Sequence, residues 1–157
     1  MPGCGPGGRG FESHWTPQKT GNWVSRKGKM GGPEADRFKE LRTRTIQFAT
    51  DVVNLVDAFP SPRTTDVLGK QLLHSATSIG ANYRAACRAR SHAEFVSKMH
   101  TVQEEADETQ YWFELLHNAG IVSDPQYNAL QSEARELTAI FTASERTART
   151  HLKQIRL

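Results

Sequence analysis

Apolar and small side chains return every three or four residues through most of this chain, and the beat is clearest between Phe95 and Leu116. Phe95, Met99, Val102, Ala106, Thr109, Phe113 and Leu116 are separated by alternating steps of four and three. That spacing aligns them on one stripe of a helix, as bundle packing requires. Ser91 followed by Glu94 predicts a capping box at the start of this helix. The Ser91 hydroxyl would accept from the Glu94 amide, and the Glu94 carboxylate would reach back to the Ser91 amide. Gly120 predicts the stop, because glycine accepts the left-handed backbone that ends many helices.

Three further stripes follow the same rule. A first helix is predicted from about Asp36 to Ala58, with Phe38, Leu41, Thr45, Phe48, Val52, Leu55 and Phe59 in line. Ile46, Ala49, Val53 and Val56 widen its apolar face. At 1.5 Å per residue this is a rod of roughly 33 Å. Phe59-Pro60-Ser61-Pro62 ends it, since neither proline can continue a helix. Thr64, Thr65 and Asp66 offer capping oxygens for a second helix. Its stripe is Leu68, Leu72, Ser75/Ala76, Ile79, Tyr83 and Ala86. Gly80 inside it costs about 1 kcal/mol relative to alanine, which implies a close neighbour within the bundle or in another subunit. A fourth helix is expected with Asp124 as N-cap and Pro125 at the first helical position. Tyr127, Leu130, Ala134, Leu137, Phe141, Ser144, Ala148 and His151 form its stripe, broadened by Ile140, Leu152 and Ile155. No proline interrupts the chain between Pro62 and Pro125, and no segment shows strand alternation. The prediction is an all-α, up-down-up-down antiparallel four-helix bundle over residues 37–157.

Residues 1–36 carry no such period. They are rich in Gly, Pro and basic residues and lack the apolar surface to offset the entropy of ordering. They are expected to be a disordered extension, with a basic arm touching nucleic acid as the functional alternative. Gly10-Phe11-Glu12-Ser13 is also what the T-arm of a tRNA gene would encode if translated. The natural product is therefore expected to begin at Met30, and an intact mass that includes residues 1–29 would refute this.

Composition narrows the function classes. The chain has 157 residues, enough for one domain of ordinary size. Charged residues make up 24% and interrupt every long segment, so no apolar run approaches the ~20 residues that span a bilayer. No membrane partner is expected, and the N-terminus lacks a secretory apolar core. Two cysteines, Cys4 and Cys87, supply neither a disulfide framework nor a metal-ligand spacing, which points to a reducing cytoplasm. A net charge of +3 is too small to argue nucleic-acid binding, so the placement of charge matters more.

Arg84, Arg88 and Arg90 lie at the end of the second helix, with His92 and Lys98 just past the turn. Cations there complement the helix dipole, at about 0.3–1 kcal/mol each. They could equally contact phosphates or another subunit. The aromatic interleaving of a single-strand platform is thin, since Tyr83 and Phe95 both fall on core stripes. Glu104, Glu105, Asp107, Glu108 and Glu114 make the third helix acidic past its midpoint. They read as a solvated face, or as the acidic half of a head-to-tail contact with the arginines of another copy. Di-iron bundles use paired Glu-x-x-His motifs, and Glu114-Leu115-Leu116-His117 is the one match, so no metal and no cofactor are expected. No catalytic residue is assigned: Cys87 has no histidine at helical spacing and reads as a small buried residue. His74, His100 and His117 are expected at the surface or bundle edge. Tyr111 and Trp112 fall just off the core stripe.

Three blocks carry a family resemblance. They are Phe59-Pro60 followed by Leu68, Gln71 and Leu72; Ser78-Ile79-Gly80-Ala81-Asn82-Tyr83-Arg84-Ala85-Ala86-Cys87-Arg88-Ala89-Arg90-Ser91; and Glu94-Phe95, Lys98 and Glu104-Glu105-Ala106-Asp107-Glu108-Thr109-Gln110-Tyr111-Trp112. Over roughly residues 37–145 the chain resembles the bacterial four-helix-bundle proteins related to the product of intervening sequences in 23S rRNA genes. Many members carry Asn-Ile-Ala-Glu-Gly where this chain has Asn82-Tyr83-Arg84-Ala85-Ala86, which marks a sub-branch. The resemblance implies a homo-oligomer, a pentameric ring, without enzymatic activity. It also implies a link to nucleic acid, because a similar bundle serves as accessory protein to the reverse transcriptase of diversity-generating retroelements. The expected function is a non-enzymatic adaptor or nucleic-acid-associated binding protein with RNA or DNA as partner. The alternatives are a purely structural assembly module that binds another protein and, more remotely, a metal-binding bundle.

Overall fold

Each of the four amphipathic segments is a helix in the computed structural model, which describes residues 15–17, 23–25, 33–60 and 62–155. They are α1 (Pro33–Asp57), α2 (Arg63–Ala86), α3 (His92–Asn118) and α4 (Asp124–Ile155). The helices follow one another antiparallel. α2 and α3 make the most extensive contact, then α3 and α4, then α1 and α2, while α1 and α4 touch over a much smaller area. The stripes read from spacing close on one interior: Phe48, Val52, Leu72, Ile79, Phe95, Val102, Phe113, Leu137 and Phe141 are all buried. Two aromatic pairs tie the diagonals. Phe48 of α1 meets the edge of Phe113 of α3 at 6.3 Å, and Tyr83 of α2 meets Phe141 of α4 at 5.4 Å. The expectations at Gly10–Ser13, Met30 and Cys4, and for the side chains of His151, Leu152 and Ile155, lie outside what is described.

A small feature precedes the helices on the N-terminal side. Two short strands, β1 (Trp15–Pro17) and β2 (Trp23–Ser25), pair antiparallel with Thr16 opposite Val24. Trp, Thr and Val favour extended backbone, but three-residue runs are too short for alternation to register in a sequence. α1 also begins at Pro33, three residues before the expected Asp36. Proline is tolerated in a first turn because its missing N–H has no partner there anyway.

The helix ends show how local chemistry sets the boundaries. The Ser91 hydroxyl accepts from the Glu94 amide at 3.1 Å, as expected, but the Glu94 carboxylate takes the amide of Arg90 at 2.8 Å rather than that of Ser91. Gly120 has φ of +72°. Its amide reaches His117 O and that of Ile121 reaches Leu116 O, both at 2.9 Å, which closes α3 in a Schellman motif. The threonines and aspartate expected to cap α2 do not. Its cap is Pro62, with φ −61° and ψ 144° and no side-chain bond, while Thr65 is buried and Asp66 pairs with Lys70 at 2.8 Å. The cap of α4 is Ser123 rather than Asp124. Ser123 O accepts from Tyr127 N at 2.9 Å, and Gln126 Oε1 reaches back to Ser123 N at 3.3 Å.

Gly80 has its close neighbour inside the bundle: a Cβ there would lie 3.4 Å from Thr45 Oγ1 of α1. Gly69 is tighter still, with Val56 Cγ1 at 3.0 Å and Phe59 Cδ2 at 3.4 Å. These two contacts fix the register of α1 on α2. That register turns part of the first apolar face outward. Ile46 is 50% exposed and Val53 38% exposed, so the apolar face of α1 extends beyond what the core covers. The weak α1–α4 seam is held instead by charge: the Arg44 guanidinium bonds Glu133 at 2.5 and 2.7 Å and Glu136 at 2.5 Å. Those carboxylates hold the Arg44 guanidinium above even its ordinary range.

Candidate interaction surfaces

The turn between α2 and α3 gathers the basic end of the molecule. Arg84 is in the last turn of α2. Arg88 and Arg90 lie past its Cys87 cap, and all three are exposed. Lys98, two turns into α3, is half-buried. None of these four forms an ion pair among the described residues, although the same surface pairs Arg44, Lys70 and Arg149 with carboxylates. Sequence spacing missed a fifth cation. The glycine register brings the exposed Arg42 of α1 against the end of α2, close enough to act on both Tyr83 and Cys87. No signal in the sequence fixes that register, because α1 could meet α2 on several neighbouring rows of its face.

Under the arginines lie the buried Tyr83 and the half-buried Cys87. Burial pushes the Cys87 thiol up, the larger effect, against the opposing pull of Tyr83, Arg42 and Arg88. Burial also drives the Tyr83 hydroxyl far above its ordinary value, and that hydroxyl adjoins the thiol without a well-directed hydrogen bond. A neutral, half-buried thiol is a poor nucleophile. His92, expected among the surface cations, is 1% exposed, and its Nε2 lies 2.5 Å from Ala148 O of α4. It is a tie between α3 and α4 because the α3 stripe continues one turn back from Phe95.

The acidic side divides into two. Glu104, Asp107, Glu108 and Glu114 face outward on α3. Glu104 lies 3.4 Å from His100, and Glu108 accepts from Trp112 Nε1 at 3.1 Å. Trp112 in turn meets the edge of Tyr111 at 5.0 Å. Glu105 lies within reach of His74 of α2, and its Oε2 is buried without a hydrogen-bond partner among the described residues. Burial raises its carboxyl above the usual carboxylate range; His74 opposes this, while Glu108 and Glu104 add to it. A raised folded value means that ionisation costs stability once the pH exceeds the unfolded value. Glu105→Gln should therefore stabilise the fold at neutral pH. The gain should shrink as pH falls and vanish below the ordinary carboxylate range, as urea melts at a series of pH values would show.

His74 and His100 are at the surface and His117 at the edge. The Glu114…His117 motif does not converge on a metal. Glu114 faces outward, while His117 bonds Asp124 Oδ1 at 2.7 Å and stacks on Tyr127 at 4.1 Å. Among the described residues no group of three or more His, Cys, Asp or Glu could hold a metal ion. No helix described is long and apolar enough to cross a membrane.

Comparison with known proteins agrees with the helical arrangement. A family model described as 23S rRNA-intervening sequence protein matches residues 39–143. Among solved structures, the chain is similar to a protein of unknown function from the S23 ribosomal protein family of Bacteroides thetaiotaomicron. The two are 33% identical with a TM-score of 0.64, over 68% of this chain and 96% of that one. No curated protein matches at a significant level.

Proposed function

The chain belongs to the 23S rRNA-intervening sequence protein family, and from that premise we propose that it is a non-enzymatic, homo-oligomeric binding or adaptor protein of the cytoplasm that associates with RNA or DNA. The assembly proposed is the pentameric ring that the resemblance implies. The observation that carries the reading is the set of exposed arginines at the α2–α3 turn, Arg84, Arg88 and Arg90, joined by Arg42 and left without ion pairs among the described residues. Helix dipoles explain only part of this set. Their effect dies within the last turn, which covers Arg84. Arg90 lies past the helix end, and Arg42 is some two turns inside α1. Guanidinium groups from two elements at one end suit a phosphate backbone, whose neutralisation releases counterions.

The test is binding of mixed-sequence RNA and DNA as salt is raised. With three or four phosphates neutralised per subunit, log K should fall with log salt at a slope of about −3. Absence of binding at low salt would sink the reading. It would leave the second one, a purely structural module for protein–protein assembly, which the exposure of Ile46 and Val53 on α1 favours.

A further inference from the structure

The outward strip of α1 is not a scatter of single apolar residues. Ile46, Ala49 and Val53 stand at helical spacing, and beside them α2 offers Gly80 and Ala81, so that a shallow groove runs between the two helices. The exposed threonine hydroxyls in it are taken up by carbonyls of their own helices. Thr50 Oγ1 bonds Ile46 O at 2.9 Å, and Thr77 Oγ1 bonds Leu73 O at 2.7 Å. Water gains little from such a surface, and apolar strips of this kind mark contact sites. Arg84 lines one end of the groove.

The outer face of α3 has the opposite character. Tyr111 is 57% exposed. On its own helix it stands one or two turns from Glu104, Asp107, Glu108 and Glu114, all exposed. Its ring is braced by Trp112, which is itself held by Glu108. An exposed aromatic ring with a fixed backing and a charged rim has the character of an interface anchor.

We infer that the α1–α2 groove of one copy receives the Tyr111 face of α3 from a second copy, with Arg84 meeting the carboxylates around that tyrosine. The inference rests on the homo-oligomeric part of the reading above and deepens it. It divides the basic end in two: Arg84 serves the subunit contact, while Arg42, Arg88 and Arg90 remain free for phosphate. Basic groove and acidic knob are different surfaces of the same chain. The contact is therefore heterologous, and it must close into a ring or run on as a filament. Charge complementarity between the two faces sets the orientation.

Charge exchange on the full-length chain tests this, read by light scattering with helicity followed by circular dichroism. The wild type should have a multimeric mass. Arg84→Glu should fall to the monomer mass, and so should the double variant Glu104→Lys/Asp107→Lys. Mixing these two variants should raise the mass above the monomer, as an open chain or an even-numbered assembly, because the two must alternate and five copies cannot alternate around a closed ring. One contact in the mixture is then wild-type, and the other pairs Glu at position 84 with the new lysines. Ile46→Asp, at a position already half in water, should also give a folded monomer. A mass unchanged by Ile46→Asp overturns the inference, as does a mixture that stays monomeric. A multimeric wild type in either case leaves the oligomeric reading standing. A monomeric wild type overturns both, and is the result expected if residues 1–32 of the same chain cover the groove.

Discussion

Phe113→Ala should destabilise the bundle by about 3–5 kcal/mol, read as a lower urea midpoint with little change in slope. Phe113 is fully buried on α3, and its ring meets Phe48 across the diagonal of the bundle at 6.3 Å. Loss of the ring removes apolar burial and leaves a cavity between two helices that are not neighbours. The walls come from separate rigid rods, so the site cannot collapse without moving a whole helix. Domains of this size are stable by about 5–15 kcal/mol, so the variant should remain folded but lose much of its margin. A fall below 1 kcal/mol would mean that the diagonal is already loosely packed.

Joint reversal of Arg42, Arg88 and Arg90 to glutamate should abolish nucleic-acid binding and leave melting nearly unchanged. All three side chains are exposed and unpaired among the described residues, so the fold loses little. At phosphate distance each charge is worth about 1 kcal/mol in water, and reversal turns attraction into repulsion. Three such changes amount to several kcal/mol, a loss of about a thousandfold or more at low salt. The control reverses Arg63, Lys70 and Arg135, which changes net charge equally from the other end of α2 and from mid-α4. If binding follows the control as closely as the test variant, net charge and not the basic end is responsible.

Those two expectations draw on different parts of the chain's legibility. Phe113 could be placed in the core from spacing alone, because a helix repeats every 3.6 residues and one stripe must leave water. Gly120 could likewise be read as a stop from its freedom at positive φ, and the structure has it at +72°. The caps were harder to read. Pro62 holds the start of α2 through its backbone carbonyl, and Ser123 competes with Asp124 one residue on. Neighbouring residues with similar oxygens differ too little in intrinsic preference for sequence to choose between them.

Four stripes and three breaks between them were enough to determine that this protein is an antiparallel bundle, since each apolar face has only the other three to close against. Which edge of each stripe stays wet was decided by the tertiary structure. Gly69 and Gly80 let α1 approach α2 on one particular row. That row buries Thr45, leaves Ile46 and Val53 outside and brings Arg42 to the arginines of the α2–α3 turn, while the packing of α3 on α4 buries His92. The helical period fixes a side chain's angle about its own axis to within a turn. The rotation of one helix against its neighbour depends on close contacts between residues far apart in sequence, and these exist only once the helices have packed.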